Sequence, residues 1–145
     1  MKVIFGADHG GYKLKEVLKV YVKELGYEAL DLGTDSEDSV DYPDYAASVS
    51  RKVAAGDGFG ILVCRSAAGM VMAANKIRGI RAVAAFDVKS AKHSKEHNDA
   101  NVLALSGDWL TDEQAKAIVK AWLETPFSNE PRHAKRIRKI MALES

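Results

Sequence analysis

Apolar residues along this chain alternate between two habits. They fall in short unbroken runs, and between the runs they recur every third or fourth position. Five runs read as strands: KVIFGA (2–7), YEALDLG (27–33), FGILVC (59–64), GIRAVAAF (79–86) and ANVLALS (100–106). After the first run Leu14, Val17, Leu18, Tyr21, Val22 and Leu25 form the stripe of an amphipathic helix, with Gly26 as its stop. Pro43 suits a first helical turn, and Tyr45, Val49 and Val53 follow it on one face. Helical stretches are predicted over 68–77 and 88–96. Thr111 and Gln114 form a capping-box pattern ahead of Ala115, Ile118, Val119, Trp122 and Leu123, and a last helix should start near Pro131.

This strand–helix beat, with continuous apolar strands, predicts a five-stranded parallel sheet covered on both faces. The expected fold is a three-layer α/β/α, Rossmann-like domain spanning 1–145, with no repeat and no linker. In such folds ligands sit beyond the carboxyl ends of the strands. The first, third and fifth strands end in Asp8-His9, Cys64-Arg65-Ser66 and Ser106-Gly107-Asp108. A carboxylate, an imidazole and a thiol are thereby expected along one edge of the sheet.

Composition narrows the partners. The 145 residues carry a formal net charge of +1, so no strong global field draws the chain to nucleic acid or a membrane surface. One cysteine makes no internal disulfide, which points to a reducing compartment. No apolar run reaches the ~20 residues of a membrane span, and the first residues do not read as a signal peptide. A cytoplasmic protein is expected.

Each candidate group has two readings. Cys64 is either a small buried hydrophobe or a thiol whose anion is stabilised by the helix that follows. The loop Arg65-Ser66-Ala67-Ala68-Gly69 is either a plain tight turn or a cradle whose backbone N–H groups approach an anion. It matches neither a Walker loop nor a dinucleotide fingerprint. His93 and His97 share a spacing that metals use, without an evident third ligand. His97 is otherwise an ordinary surface histidine, whereas His9 holds a strand-end position. Arg132 and Arg136, four apart in PRHAKRIRK, are either a solvated basic face or a phosphate clamp.

Taken together, ADHGG, DYPDYA, GILVC, GMVMAANKIRGIRAV, HNDANVL and RHAKRIRKI resemble the ribose-5-phosphate isomerase B family, which includes galactose-6-phosphate isomerase subunits. The resemblance runs over nearly the whole chain. It implies an aldose–ketose sugar-phosphate isomerase that uses a cis-enediolate and needs neither metal nor organic cofactor. It further implies Cys64 as the proton-transfer base, since the alternative base position in the family holds Met70 here. His97 is implied as the ring-opening acid/base, helped by Ser66. Asp8 and Tyr42 would meet sugar hydroxyls or the ring oxygen, and Asn98 the sugar or enediolate. The backbone from Ser66 through Ala67 and Ala68 to Gly69 would hold the enediolate oxygen, and His9, Arg132 and Arg136 the phosphate. Active sites between subunits of a homodimer or tetramer are implied, with the C-terminal helix reaching the partner.

Two positions depart from that pattern. Relatives usually carry Gly-Thr-Gly or Gly-Ser-Gly where this chain has Arg65-Ser66-Ala67, and an arginine where it has Asp108. Alanine and arginine lack the freedom of glycine at positive φ, so a reshaped loop is expected. Arg65 either replaces the lost positive charge or pairs with Asp108. These departures keep open a different substrate, such as a hexose 6-phosphate; a further alternative is a non-catalytic sugar-phosphate-binding subunit, against which the retention of Cys64, Ser66 and His97 speaks.

Overall fold

A computed structural model of the chain describes residues 1–144; Ser145, the last residue of the expected 1–145 domain, lies outside the described residues. Five strands and six helices follow in chain order. They are β1 (Lys2–Ala7), α1 (Tyr12–Glu24), β2 (Glu28–Asp31), α2 (Tyr42–Ala54), β3 (Phe59–Cys64), α3 (Ala68–Ala74), β4 (Ala82–Ala84), α4 (Val88–Asn98), β5 (Val102–Ser106), α5 (Asp112–Glu124) and α6 (Pro131–Met141). All strand pairs are parallel, in the order β2-β1-β3-β5-β4.

Alternate residues of each strand feed two cores. Val3, Phe5, Ile61, Val63, Leu103 and Leu105 point to the layer of α1, α4 and α5. Ile4, Leu62, Cys64, Val102 and Ala104 point to α2 and α3. Each fully buried Val, Leu or Ile contributes about 1.5–3 kcal/mol, so the two cores hold the sheet flat against its helices. Trp122 anchors the first core. It is wholly buried, meets Phe59 edge-on at 5.2 Å and donates its indole N–H to Ser94 Oγ at 3.2 Å. The capping box forms as expected, with Thr111 Oγ1 accepting from the Gln114 N–H and the Gln114 side chain accepting from the Thr111 N–H.

Several expected boundaries move, among them the end of α4, at Asn98 rather than residue 96, and the start of β5, at Val102 rather than residue 100. The strand expected over 79–86 is reduced to Ala82–Ala84, and on its amino side the Asn101 amide takes backbone groups that would extend it. Asn75 brackets Ala82, donating to its carbonyl at 2.9 Å and accepting its N–H at 2.8 Å. Asn101 likewise accepts the Arg81 N–H and donates to the Gly79 carbonyl, both at 2.8 Å. The second strand stops at Asp31 rather than residue 33, and the helix expected over 68–77 ends at Ala74 in tight turns.

A charged residue on α1 contradicts its pattern. Lys15 lies on α1 among exposed-looking neighbours, yet it is fully buried with its Nζ 2.6 Å from Asp31 Oδ2. Lys19 reaches the same oxygen at 2.6 Å. Burial alone would raise the Asp31 pKa, but the two lysine hydrogen bonds and the Gly33 N–H outweigh it and hold the carboxyl below its usual range.

Candidate active site

The chain leaves β1 towards β2 on one side and later returns to β3 on the other. The carboxyl ends of β1 and β3 therefore flank a crevice, which is where ligands settle in open parallel sheets. A cleft of ≈ 430 Å³ opens there. Its walls come from Asp8 and His9 after β1, Tyr42 at the start of α2, Cys64 to Ser66 after β3, and Ala68, Gly69 and Met72 of α3.

Main-chain bonds fix each wall. The Asp8 N–H donates to the Val63 carbonyl, tying the end of β1 to β3 at 3.2 Å. Asp8 Oδ1 accepts the N–H groups of Gly10 and Gly11 at 2.9 and 3.1 Å, so the carboxylate closes its own turn. His9 Nδ1 accepts the Val40 N–H at 3.2 Å, which places the neutral ring's proton on Nε2. One edge of the Tyr42 ring lies close over Gly69. A Cβ there would stand 2.4 Å from the ring edge, so only glycine admits this contact.

Cys64 ends β3 with 5% of its surface exposed, at the junction of the second core and the cleft. Its carbonyl accepts the Gly107 N–H at 2.7 Å, and its Sγ accepts the Ala67 N–H at 3.2 Å. Ala67 adopts φ 74° and ψ −26°, so the loop keeps a glycine-like turn with an alanine in it. Alanine holds this positive φ at a cost of about 1–2 kcal/mol in backbone strain. The Ala68 N–H meets Ser66 Oγ at 3.4 Å. Among the described residues, the Ser66 and Gly69 N–H groups donate to no protein acceptor. Ala67 and Ala68 have thus spent their amides within the loop, and Ala67 is buried beneath the cleft rather than lining it.

Arg65 takes the second of its two expected alternatives. Its guanidinium Nη1 lies 3.3 and 3.4 Å from the two carboxylate oxygens of Asp108. Ser106 Oγ donates to the Arg65 carbonyl at 2.5 Å, fixing the backbone from which this side chain crosses the rim.

The other sequence candidates stand elsewhere. Helix α4 runs back from the carboxyl end of β4 to the amino end of β5, so His97 and Asn98 reach the opposite edge of the sheet from Cys64. A strand such as β3 spans about 17–20 Å, which no side chain crosses. The His97 ring lies 4.0 Å from His93 and 4.1 Å from His133, centroid to centroid. The His93 and His97 rings stack face to face instead of converging on a point, and no group of three or more His, Cys, Asp or Glu among the described residues could hold a metal. Arg132 and Arg136 lie exposed on α6, which packs against α4. Asn98 lines a separate hollow of ≈ 650 Å³ with Arg81, Ile140 and Met141. His133 and Met72 escaped the sequence reading. Met72 sits among small residues without a pattern, and His133 hides in a run that reads as solvated charge.

A thiol, a carboxylate, an imidazole and a phenol around one switch-point cleft define a small-ligand site of the α/β enzyme class. A model of the family described as Ribose/Galactose Isomerase matches residues 3–140. The chain belongs to that family. It is 44% identical to ribose-5-phosphate isomerase B of Escherichia coli (strain K12) over 145 residues, covering 99% of this chain and 96% of the relative. Its structure superposes on the type B ribose 5-phosphate isomerase of Trypanosoma brucei with a TM-score of 0.96 at 45% identity, covering 99% and 98% of the two chains. It also superposes on the ribose-5-phosphate isomerase B of Mycoplasma genitalium with bound ribulose-5-phosphate. There the TM-score is 0.94 at 35% identity, with 99% and 95% covered. No helix among the described residues is long and apolar enough to cross a membrane.

Proposed function

We propose that this chain is a cytoplasmic aldose–ketose isomerase, working as a single domain, that interconverts ribose 5-phosphate and ribulose 5-phosphate with Cys64 as the proton-transfer base. The observation that carries the reading is the Cys64 sulfur, which meets the Ala67 N–H at 3.2 Å and faces a cleft shared with Asp8, His9 and Tyr42. In the open-chain aldose the thiolate takes the proton from C2. The C2–H electrons form the C1=C2 bond, and the carbonyl oxygen on C1 becomes the enediolate oxygen. The unengaged N–H groups of Ser66 and Gly69 suit that developing charge. Cys64 then returns the proton to C1, the O2–H electrons become the C2=O bond, and the O2 proton passes to O1, which leaves the ketose.

Ring opening and phosphate capture require groups that one chain keeps at the far edge. In this reading a second copy brings His97, Asn98, Arg132 and Arg136 over the cleft, with α6 reaching across. His97, with Ser66, then acts on the ring oxygen and its hydroxyl; Asp8, Tyr42 and Asn98 hold the sugar; His9 and the two arginines hold phosphate. No metal or organic cofactor enters the cycle, so activity should survive EDTA and dialysis.

The Arg65–Asp108 pair favours a second reading. Asp108 neutralises the one arginine lining the cleft, which suits a substrate of different length, such as a hexose 6-phosphate. A panel of aldose phosphates, scored for ketose formation with wild type and Cys64→Ala, decides between them. Turnover of ribose 5-phosphate, cut about 10²-fold or more in the variant, supports the proposal. Turnover confined to a hexose phosphate supports the second reading. Absence of turnover across the panel would make the chain a sugar-phosphate-binding subunit.

A further inference from the structure

His133 is the one side chain of α6 that is buried, and its hydrogen bonds determine where its proton sits. Arg132 donates its Nε–H to His133 Nε2 at 3.3 Å, so Nε2 acts as an acceptor. The other ring nitrogen, Nδ1, lies 2.8 Å from Ser128 Oγ and 3.6 Å from a Glu130 carboxylate oxygen. Ser128 Oγ also accepts the Glu130 N–H at 3.2 Å. A neutral imidazole has one donor and one acceptor, and this environment selects Nδ1–H with an open lone pair on Nε2.

The charges around the ring point the same way. Burial, the facing His97 of α4, and the cations Arg132 and Arg136 of its own helix hold the His133 pKa below the usual histidine value, with Glu130 opposing them. His93 lies behind His97 on the far side of the stack. Protonation would convert Nε2 into a donor, break the Arg132 bond and place like charges against each other.

We propose that His133 is a positioning residue that fixes the Arg132 guanidinium through its Nε2 lone pair while its ring face supports His97. This rests on the reading of Arg132 as a phosphate ligand given above. Arg132 is held at two points, Nε by His133 and Nη2 by Glu130 Oε2 at 2.8 Å. Three of its five N–H groups remain for an anion. A histidine suits this task better than a second carboxylate would, because a neutral acceptor orients the guanidinium without cancelling its charge.

The test has a part that needs no turnover. Long-range proton–nitrogen NMR of the wild-type protein near pH 7 should show His133 protonated on Nδ1 and bare on Nε2; a proton on Nε2 overturns the proposal. His133→Phe keeps an aromatic face but removes both hydrogen bonds. It should weaken inorganic phosphate binding and raise KM for ribose 5-phosphate, each about tenfold, with kcat within about threefold. His133→Gln, which returns an acceptor near the Nε2 position, should recover most of that loss. A folded Phe variant with unchanged phosphate affinity, or a Gln variant no better than Phe, overturns the proposal. Should either variant fail to fold, the wild-type tautomer decides. Should the wild type turn over no sugar phosphate while Phe still weakens phosphate binding, His133 keeps its role and the isomerase reading falls.

Discussion

The two edges of the sheet are built differently. At the carboxyl edge the groups are held by main-chain bonds: Asp8 by its own turn, Cys64 by Gly107 and Ala67, Tyr42 by a glycine that leaves room for its ring. At the amino edge a stack of imidazoles and a basic helix are held by side chains, and the arginines stay exposed. The first edge is rigid and carries the atoms suited to proton transfer. The second carries exposed cations and a stacked histidine, beside a hollow of ≈ 650 Å³ that Asn98 helps to line. In the proposed function neither edge alone performs the whole reaction. Splitting the chemistry this way makes association of two copies a condition of activity in the proposed function.

The largest expected effects break each edge in turn. Cys64→Ala and His97→Asn should each cut kcat by about 10²-fold or more, although the two residues stand at opposite ends of one chain. Loss of activity in the cysteine variant alone would reduce the amino edge to scaffold. Next, Gly69→Ala should displace the Tyr42 ring, raise KM about tenfold and cost roughly 1–3 kcal/mol of stability by denaturant titration. An unaffected KM would remove Tyr42 from substrate binding. Arg65→Gly should change phosphate-ester affinity by no more than about fivefold, because a rim ion pair contributes only ~1 kcal/mol or less. A larger loss would mean that Arg65 leaves Asp108 for the substrate.

The smallest effect concerns stability at the amino edge. Lys95 of α4 is buried with its Nζ 3.8 Å from the Phe59 ring centroid and 4.5 Å from that of Trp122. Burial lowers its pKa to about 8, opposed only weakly by Asp99. The unfolded chain then binds more protons than the native one between about pH 8 and the ordinary lysine value, so stability rises with pH across that window. Lys95→Met should raise the melting temperature by a few degrees near pH 7, and the gain should shrink towards zero above about pH 10. A gain that does not vary with pH would argue for packing alone.

These residues also show where the sequence could be read and where it could not. Strand ends, the capping box and the cysteine at the lip of β3 follow from local pattern, and a parallel topology by itself brings Asp8, His9 and Cys64 together. Lys15 and Lys95 were illegible because charge in an amphipathic stripe is assigned outward. Their partners, Asp31 and the Phe59–Trp122 pair, come from other elements. The late start of β4 depended on Asn101 competing for the backbone of Gly79 and Arg81. Ala67 keeps its positive φ because β3, α3 and the sulfur bond surround it. His133 needed the packing of α6 on α4 to become visible.

The measurement closest to the central claim is complementation between inactive chains. Cys64→Ala and His97→Asn proteins would each be purified without activity, mixed, and allowed to exchange subunits. If each site joins the carboxyl edge of one copy to the amino edge of another, half the dimers are mixed and one of their two sites is intact. Activity should then recover to about a quarter of wild type. If the mixture stays inactive while exchange is shown to have occurred, both groups serve a site within one chain and the split between edges is wrong.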